Sequence, residues 1–253
     1  MWLLFCRRNA RYEGNIALSM ARRNCLATSI DPCIFDHHNP TLKTRAARRA
    51  PDGVMLLKDL SPSAVRVCDA AVGHFAEYGY DASSLNEIAQ LAGMRKASLY
   101  AHFANKDALF VEVFQRALVQ ETAFVEHGFA QEARDGLAAG HWLALHLAER
   151  YRDSAELRFV LRTAFLPPAG IKPIVTSGFE QYLDGIREGF SVALQARHGW
   201  AHEQHSRLAL YGDAYLGIID SLYVELMYAG PDAYERRAAA LLKVLEDSLS
   251  LNR

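Results

Sequence analysis

From Ser61 to the end of the chain, apolar residues recur at every third or fourth position and nowhere alternate over a useful length. That periodicity confines the organised part of the chain to helices, because a strand with one buried face needs a period of two. Breaks in the pattern are equally informative. Ser61 is placed as a helix N-cap with Pro62 in the first helical position. Val65, Cys68, Val72 and Phe75 share one face until Gly79 offers a left-handed stop, which predicts a first helix over 62–78. After the turn residues Tyr80 to Ser83, the run Ser84-Leu85-Asn86-Glu87 opens a second helix as a capping box, hydroxyl and carboxylate each satisfying the other's backbone donor. Leu85, Ile88, Ala89 and Ala92 form its stripe, and Gly93 ends it after two turns. A third periodic stretch begins at Arg95, turns Leu99 and Phe103 inward and closes near Asn105.

Two short helices joined by a glycine-containing turn make helix-turn-helix geometry, in which the second helix can enter a DNA major groove. Charge agrees with that use. Between Glu87 and Asp107 there is no acidic residue, while Arg95, Lys96 and Lys106 are basic and His102 can become so. A run of one sign over the reading helix is the electrostatic footprint of a DNA-binding surface.

In order across residues 61–110 stand Val67-Cys68-Asp69-Ala70-Ala71, Phe75, Gly79-Tyr80, Ser83-Ser84, Ile88-Ala89, Ala92-Gly93-Met94, Leu99-Tyr100, His102-Phe103, Lys106 and Leu109. This stretch resembles the N-terminal DNA-binding domain of TetR-family transcriptional regulators. The resemblance implies an all-α fold, with a three-helix helix-turn-helix domain over 59–105 and a larger helical effector-binding and dimerisation domain over 106–253. It places Lys96, Ala97, Tyr100 and Ala101 near base edges, and Ser84, Ser98, Tyr100, His102 and Lys106 at phosphates. A long cation such as Lys96 suits guanine O6 and N7, and hydroxyls suit the backbone. Arg95 departs from the family, standing where a small capping hydroxyl is usual. It leaves the first turn of the reading helix uncapped, a loss of about 1 kcal/mol, and is expected to touch DNA instead. The resemblance further implies a homodimer on an inverted-repeat operator in double-stranded DNA, and a cytoplasmic repressor released by a small, apolar effector. No catalytic residue, metal or cofactor is expected.

Beyond the head, Asn105 can cap a long helix from Lys106 to about His127. Residues 137–165 continue in helical period until Pro167-Pro168 and Pro173 break the chain. Helices are then expected over 175–197, 205–228 and, opened by Pro231, through Leu249. Leu208, Tyr211, Tyr215, Ile218, Ile219, Leu222 and Leu226 form one apolar stripe; Tyr234, Ala238, Leu241, Leu242, Leu245 and Leu249 form another. Without the resemblance both stripes read as packing inside one monomer; the resemblance favours a dimer, and one short reading head makes too few contacts for tight specific binding. Two half-sites read through a two-fold axis remove that limit, so the stripes are expected to meet in an intermolecular four-helix bundle. Trp142, His146, Phe165, Phe179, Tyr182 and Phe190 supply the aromatic surface for an effector pocket.

Residues 1–58 carry ten Lys and Arg against four Asp and Glu, a net of +6, whereas residues 59–253 carry 18 against 25, a net of −7. The first part is therefore a basic extension outside the fold. It resembles a transit peptide in composition but lacks its helical period; a disordered basic tail and a start of translation at Met55 both stay open. No apolar run reaches the roughly 18 residues of a membrane span. Cysteine usage fits a reducing compartment. Cys33, His37 and His38 suggest a metal site but lack a second paired motif to complete four ligands. Two alternatives remain open: an all-helical metal-dependent enzyme, with zinc at His198, His202 and His205, and a DNA-binding protein blind to sequence. The first lacks any nucleophile elbow, phosphate loop or metalloprotease motif. The second predicts binding that falls steeply with salt at every sequence.

Overall fold

The computed structural model describes residues 59–200 and 205–251. The basic segment with Cys6, Cys25, Cys33, His37, His38 and the candidate start at Met55 lies outside the described residues, as does His202.

Among the described residues the chain forms helices and no strand: α1 (Pro62–Ala82), α2 (Leu85–Leu91), α3 (Lys96–His102), α4 (Lys106–Asp135), α5 (His141–Asp153), α6 (Ala155–Phe165), a 3-10 turn (Ala169–Ile171), α7 (Lys172–His198), α8 (His205–Tyr228) and α9 (Pro231–Ser250). Ser61 caps α1 by accepting from Ala64 N, and Gly79, at φ 75° and ψ −176°, breaks its helical run where the stop was expected. The buried face of α1 runs through Ala64, Val67, Cys68, Ala71 and Phe75, one step round from the expected Val65 and Val72, which are half-buried.

The core passes from head to body without a break. Phe75 of α1 meets Phe110 of α4 edge-on at 4.7 Å, and both meet Phe159 of α6, at 5.8 and 5.0 Å. Edge-to-face aromatic pairs contribute about 0.5–1.5 kcal/mol beyond the area they bury, so the head is held to the body by its own best-packed residues. In the body, α7 packs on α4, α8 on α7 and α9 on α8.

Three element boundaries differ from expectation. Helix α4 runs to Asp135, not His127, where the inward acid Glu132 accepts the Gly140 and Trp142 amides at 2.9 Å each; Glu121, earlier in the helix, is fully buried against Arg150 (2.7 Å) and Ser154 Oγ (3.1 Å). Residues 141–165 form two helices, since Ser154 closes α5 and then caps α6 through Leu157 N at 3.0 Å. Pro173 opens α7 from within its first turn, where a missing N–H costs nothing.

The two C-terminal stripes lie inside one chain. Tyr211, Tyr215, Ile219, Leu222, Leu242, Leu245 and Leu249 are buried, and Leu208, Leu226 and Leu241 are half-buried against the same core. The stripes lie on the sides of α8 and α9 that pack against α7 and each other.

Candidate nucleic-acid interface

Helix α2 is fixed by Ser84, whose Oγ accepts from Asn86 N at 3.2 Å. The capping box does not close. Glu87 turns instead to the buried His74 of α1, 3.3 Å from Nε2, the nitrogen that also lies 3.4 Å from Ser84 N. Gly93, at φ 68°, makes the turn into α3. Arg95 occupies the N-cap of α3 without a side-chain cap bond, as its chemistry requires. Leu99 and Phe103 are buried and anchor the helix to the head.

The opposite face of α3 is bare. Arg95, Lys96, Ala97, Ser98, Tyr100 and Ala101 are all exposed, and Lys96 Nζ lies 6.0 Å from the Tyr100 ring centroid. Six of the nine predicted contact residues thus share one surface. The other three are engaged within the chain: Ser84 as a cap, His102 with its Nε2 3.0 Å from Ser63 Oγ, and Lys106 donating to the Asp81 carbonyl at 3.3 Å while lying over the Tyr80 ring at 4.5 Å. Sequence reasoning missed Ser63, which ties the end of α3 to the start of α1; the Ser61-Pro62-Ser63 run signals a cap and nothing more.

The family model for bacterial regulatory proteins of the TetR family matches residues 67–113, from the middle of α1 into α4. This stretch is similar to the TetR family. Over 79 residues, 28% of this chain, it is 37% identical to a repressor assigned to the acrEF/envCD operon of Escherichia coli K12, and over 97 residues, 36% of the chain, 33% identical to a helix-turn-helix transcriptional repressor of Mycobacterium tuberculosis. The matches span 36% and 52% of those relatives' own length. The fold likeness reaches further: a TetR-family regulator from Mesorhizobium loti superposes with a TM-score of 0.56 at 23% identity over 74% of this chain and 97% of that one. GusR of Salmonella enterica superposes with a TM-score of 0.51 at 16% identity, over 75% and 96%.

Behind the head, the six predicted pocket residues are spread over α5, α6 and α7. Trp142 is buried and stacks on His146 at 4.1 Å, over Gly128, where a Cβ would come within 2.4 Å of the indole. Phe190 stacks on Tyr215 at 4.2 Å. Phe179 packs near Tyr182, whose hydroxyl bonds that of Tyr223 at 2.7 Å. Trp142, Phe179, Tyr182 and Phe190 are buried in the core and His146 is half-buried, whereas Phe165 borders a cleft. That cleft, about 800 Å³, opens between head and body, walled by Tyr78–Ala82, Asp107 and Phe110 on one side and by Arg162, Thr163 and residues 165–172 on the other.

Among the described residues no three His, Cys, Asp or Glu side chains gather as a metal-binding set. Cys68 is buried, and burial pushes its thiol up to about 12, far from a reactive thiolate. No described helix is long and apolar enough to cross a membrane.

Proposed function

We propose that this chain is a sequence-specific DNA-binding transcriptional regulator, a cytoplasmic repressor that binds an inverted repeat as a homodimer and is released by a small effector. The observation that carries the reading is α3, anchored by Leu99 and Phe103 and presenting Lys96, Tyr100 and their neighbours, without an acid, to solvent. Backbone contacts from hydroxyls and cations set the register, and the long Lys96 side chain supplies base discrimination. Relatives named as repressors support the sign of regulation.

The dimer requirement moves to the outward side of α8 and α9. Leu210, Ala214, Gly217, Ser221, Val224 and Tyr228 follow one another at helical spacing on α8. Leu210 is 67% and Tyr228 71% exposed, and Val244 on α9 is 66% exposed. Solvent-facing apolar side chains in such a row are the usual mark of a partner surface, and a second copy fits because two-fold operator reading needs one. A Cβ on Gly217 would meet nothing within 4 Å in the single chain, so a partner helix can approach closely there.

The test is duplex binding by fluorescence anisotropy, comparing a selected operator with random DNA. Lys96→Ala is expected to lose about 1–3 kcal/mol on the operator and little on random DNA. Equal losses on both would reduce Lys96 to a backbone contact. Absence of binding to either by the parent chain would end the regulatory reading.

A further inference from the structure

We propose that the cleft between the end of α1 and the end of α6 is a binding site for a small carboxylate bearing an apolar group, held by Arg162. Arg162 lies in the last turn of α6 and reaches across to α1 directly over Gly79. A Cβ at residue 79 would stand 2.8 Å from its Nε and 3.0 Å from its Nη2, so the guanidinium occupies space that only glycine leaves open. Its one hydrogen bond among the described residues is long, from Nη1 to the Glu77 carbonyl at 3.4 Å, and no carboxylate stands within ion-pair distance there. The Nε and Nη2 donors remain for a ligand, and a planar fork of two such donors matches the two oxygens of a carboxylate.

The rest of the wall fits an amphipathic molecule. Tyr78 is 53% and Leu166 69% exposed, and with Phe165 and the rigid Pro167-Pro168 pair they give a ring or short alkyl chain an apolar bed. Lys172 adds a second cation at the rim. Of the two acids, Asp107 accepts the Tyr80 hydroxyl and Asp81 is exposed to water. A volume of about 800 Å³ is that of a small-molecule site. Because one wall belongs to the reading head and the other to the body, occupancy would link the two. As the place where an effector acts, the site rests on the regulatory reading; as a binding site it stands on the cleft itself.

The experiment titrates the DNA-free, isotope-labelled full chain with phenylacetate and with its uncharged amide, following the amide resonances of Gly79 and Gly170. Saturable shifts at both glycines are expected with the acid, with about tenfold weaker affinity for the amide. Arg162→Gln should bring the acid's affinity down to the amide's, and Lys172→Gln, an exposed change, should weaken the acid by a smaller factor. Equal response to acid and amide, or shifts confined to other regions, would overturn the proposal even if Arg162→Gln failed to fold. Binding is read without DNA, so a regulator that ignores this cleft and a cleft in a protein that regulates nothing give different outcomes.

Discussion

Gly79 meets two demands at once. Its φ of 75° with ψ near 180° is a backbone state that only glycine adopts readily, and Arg162 sits where a side chain would be. Gly79→Ala should cost about 1–3 kcal/mol from backbone strain, seen as a lower denaturant midpoint. Arg162→Ala in the same chain should recover only the steric part, leaving the strain. On α3, Tyr100→Phe removes an exposed hydroxyl argued as a phosphate contact, so specific and random DNA should both bind more weakly, by about 0.5–1.5 kcal/mol; a change in base preference instead would show the ring reads sequence. Several of these residues were legible in the sequence. The Gly79 stop, the Gly93 turn and the inward Leu99 and Phe103 follow from local spacing, and the uncapped Arg95 from the family resemblance. The partners of His102, Lys106 and Glu87 do not, because Ser63, Asp81 and His74 lie far from them in sequence or on another helix, and spacing carries no record of which helix lies alongside.

At the scale of elements, the sequence shows helices well and their ends poorly where polar residues are buried. Glu132, an inward acid beyond His127, continues α4 where apolar spacing gives no sign of it, and it is satisfied by the Gly140 and Trp142 amides. The aromatic residues of the body were ambiguous for a related reason: a ring at helical spacing looks the same whether it faces a pocket or a neighbour. Here the rings face neighbours, and their hydroxyls clamp helix to helix. Tyr215 donates to the Gly140 carbonyl at 2.7 Å, Tyr234 to that of Ala144, and Tyr182 pairs with Tyr223. Burial raises the hydroxyl pKa of all four above the usual 10, since water cannot solvate a phenolate there. In the unfolded chain they ionise near 10. Above that pH the unfolded state therefore holds fewer protons than the folded one. Stability that is complete below pH 10 is then lost as pH rises, at about 1.4 kcal/mol per pH unit for each tyrosine. Alkaline unfolding should be steep, phenolate absorbance should rise with loss of helix and not before it, and Tyr234→Phe should lessen the slope by one tyrosine's share. Gradual ionisation of all four in the folded chain would contradict their burial.

For the whole molecule, the all-helical class and the helix-turn-helix head were legible because capping, turn and charge signals agree over fifty residues. A dimer surface is harder to read, because α8 carries apolar residues on both sides and periodicity cannot say which side meets its own chain. Two substitutions separate the sides. Leu222→Glu places a charge at a fully buried position and should cost several kcal/mol, unfolding the chain. Gly217→Glu points into open space in the single chain and replaces a helical glycine, so it should stay as helical and as stable as the parent while light scattering reports a monomer. A Gly217→Glu protein that remained dimeric would move the interface elsewhere. The central claim is that α3 reads sequence from two heads on a two-fold axis. Selection of duplexes from a random pool by the full chain tests it most directly. The account predicts enrichment of an inverted repeat whose half-site centres lie about one helical turn, roughly 34 Å, apart or a multiple of it, with that enrichment relaxed in Lys96→Ala. A pool that binds but yields no common sequence, with affinity governed by salt alone, would contradict it.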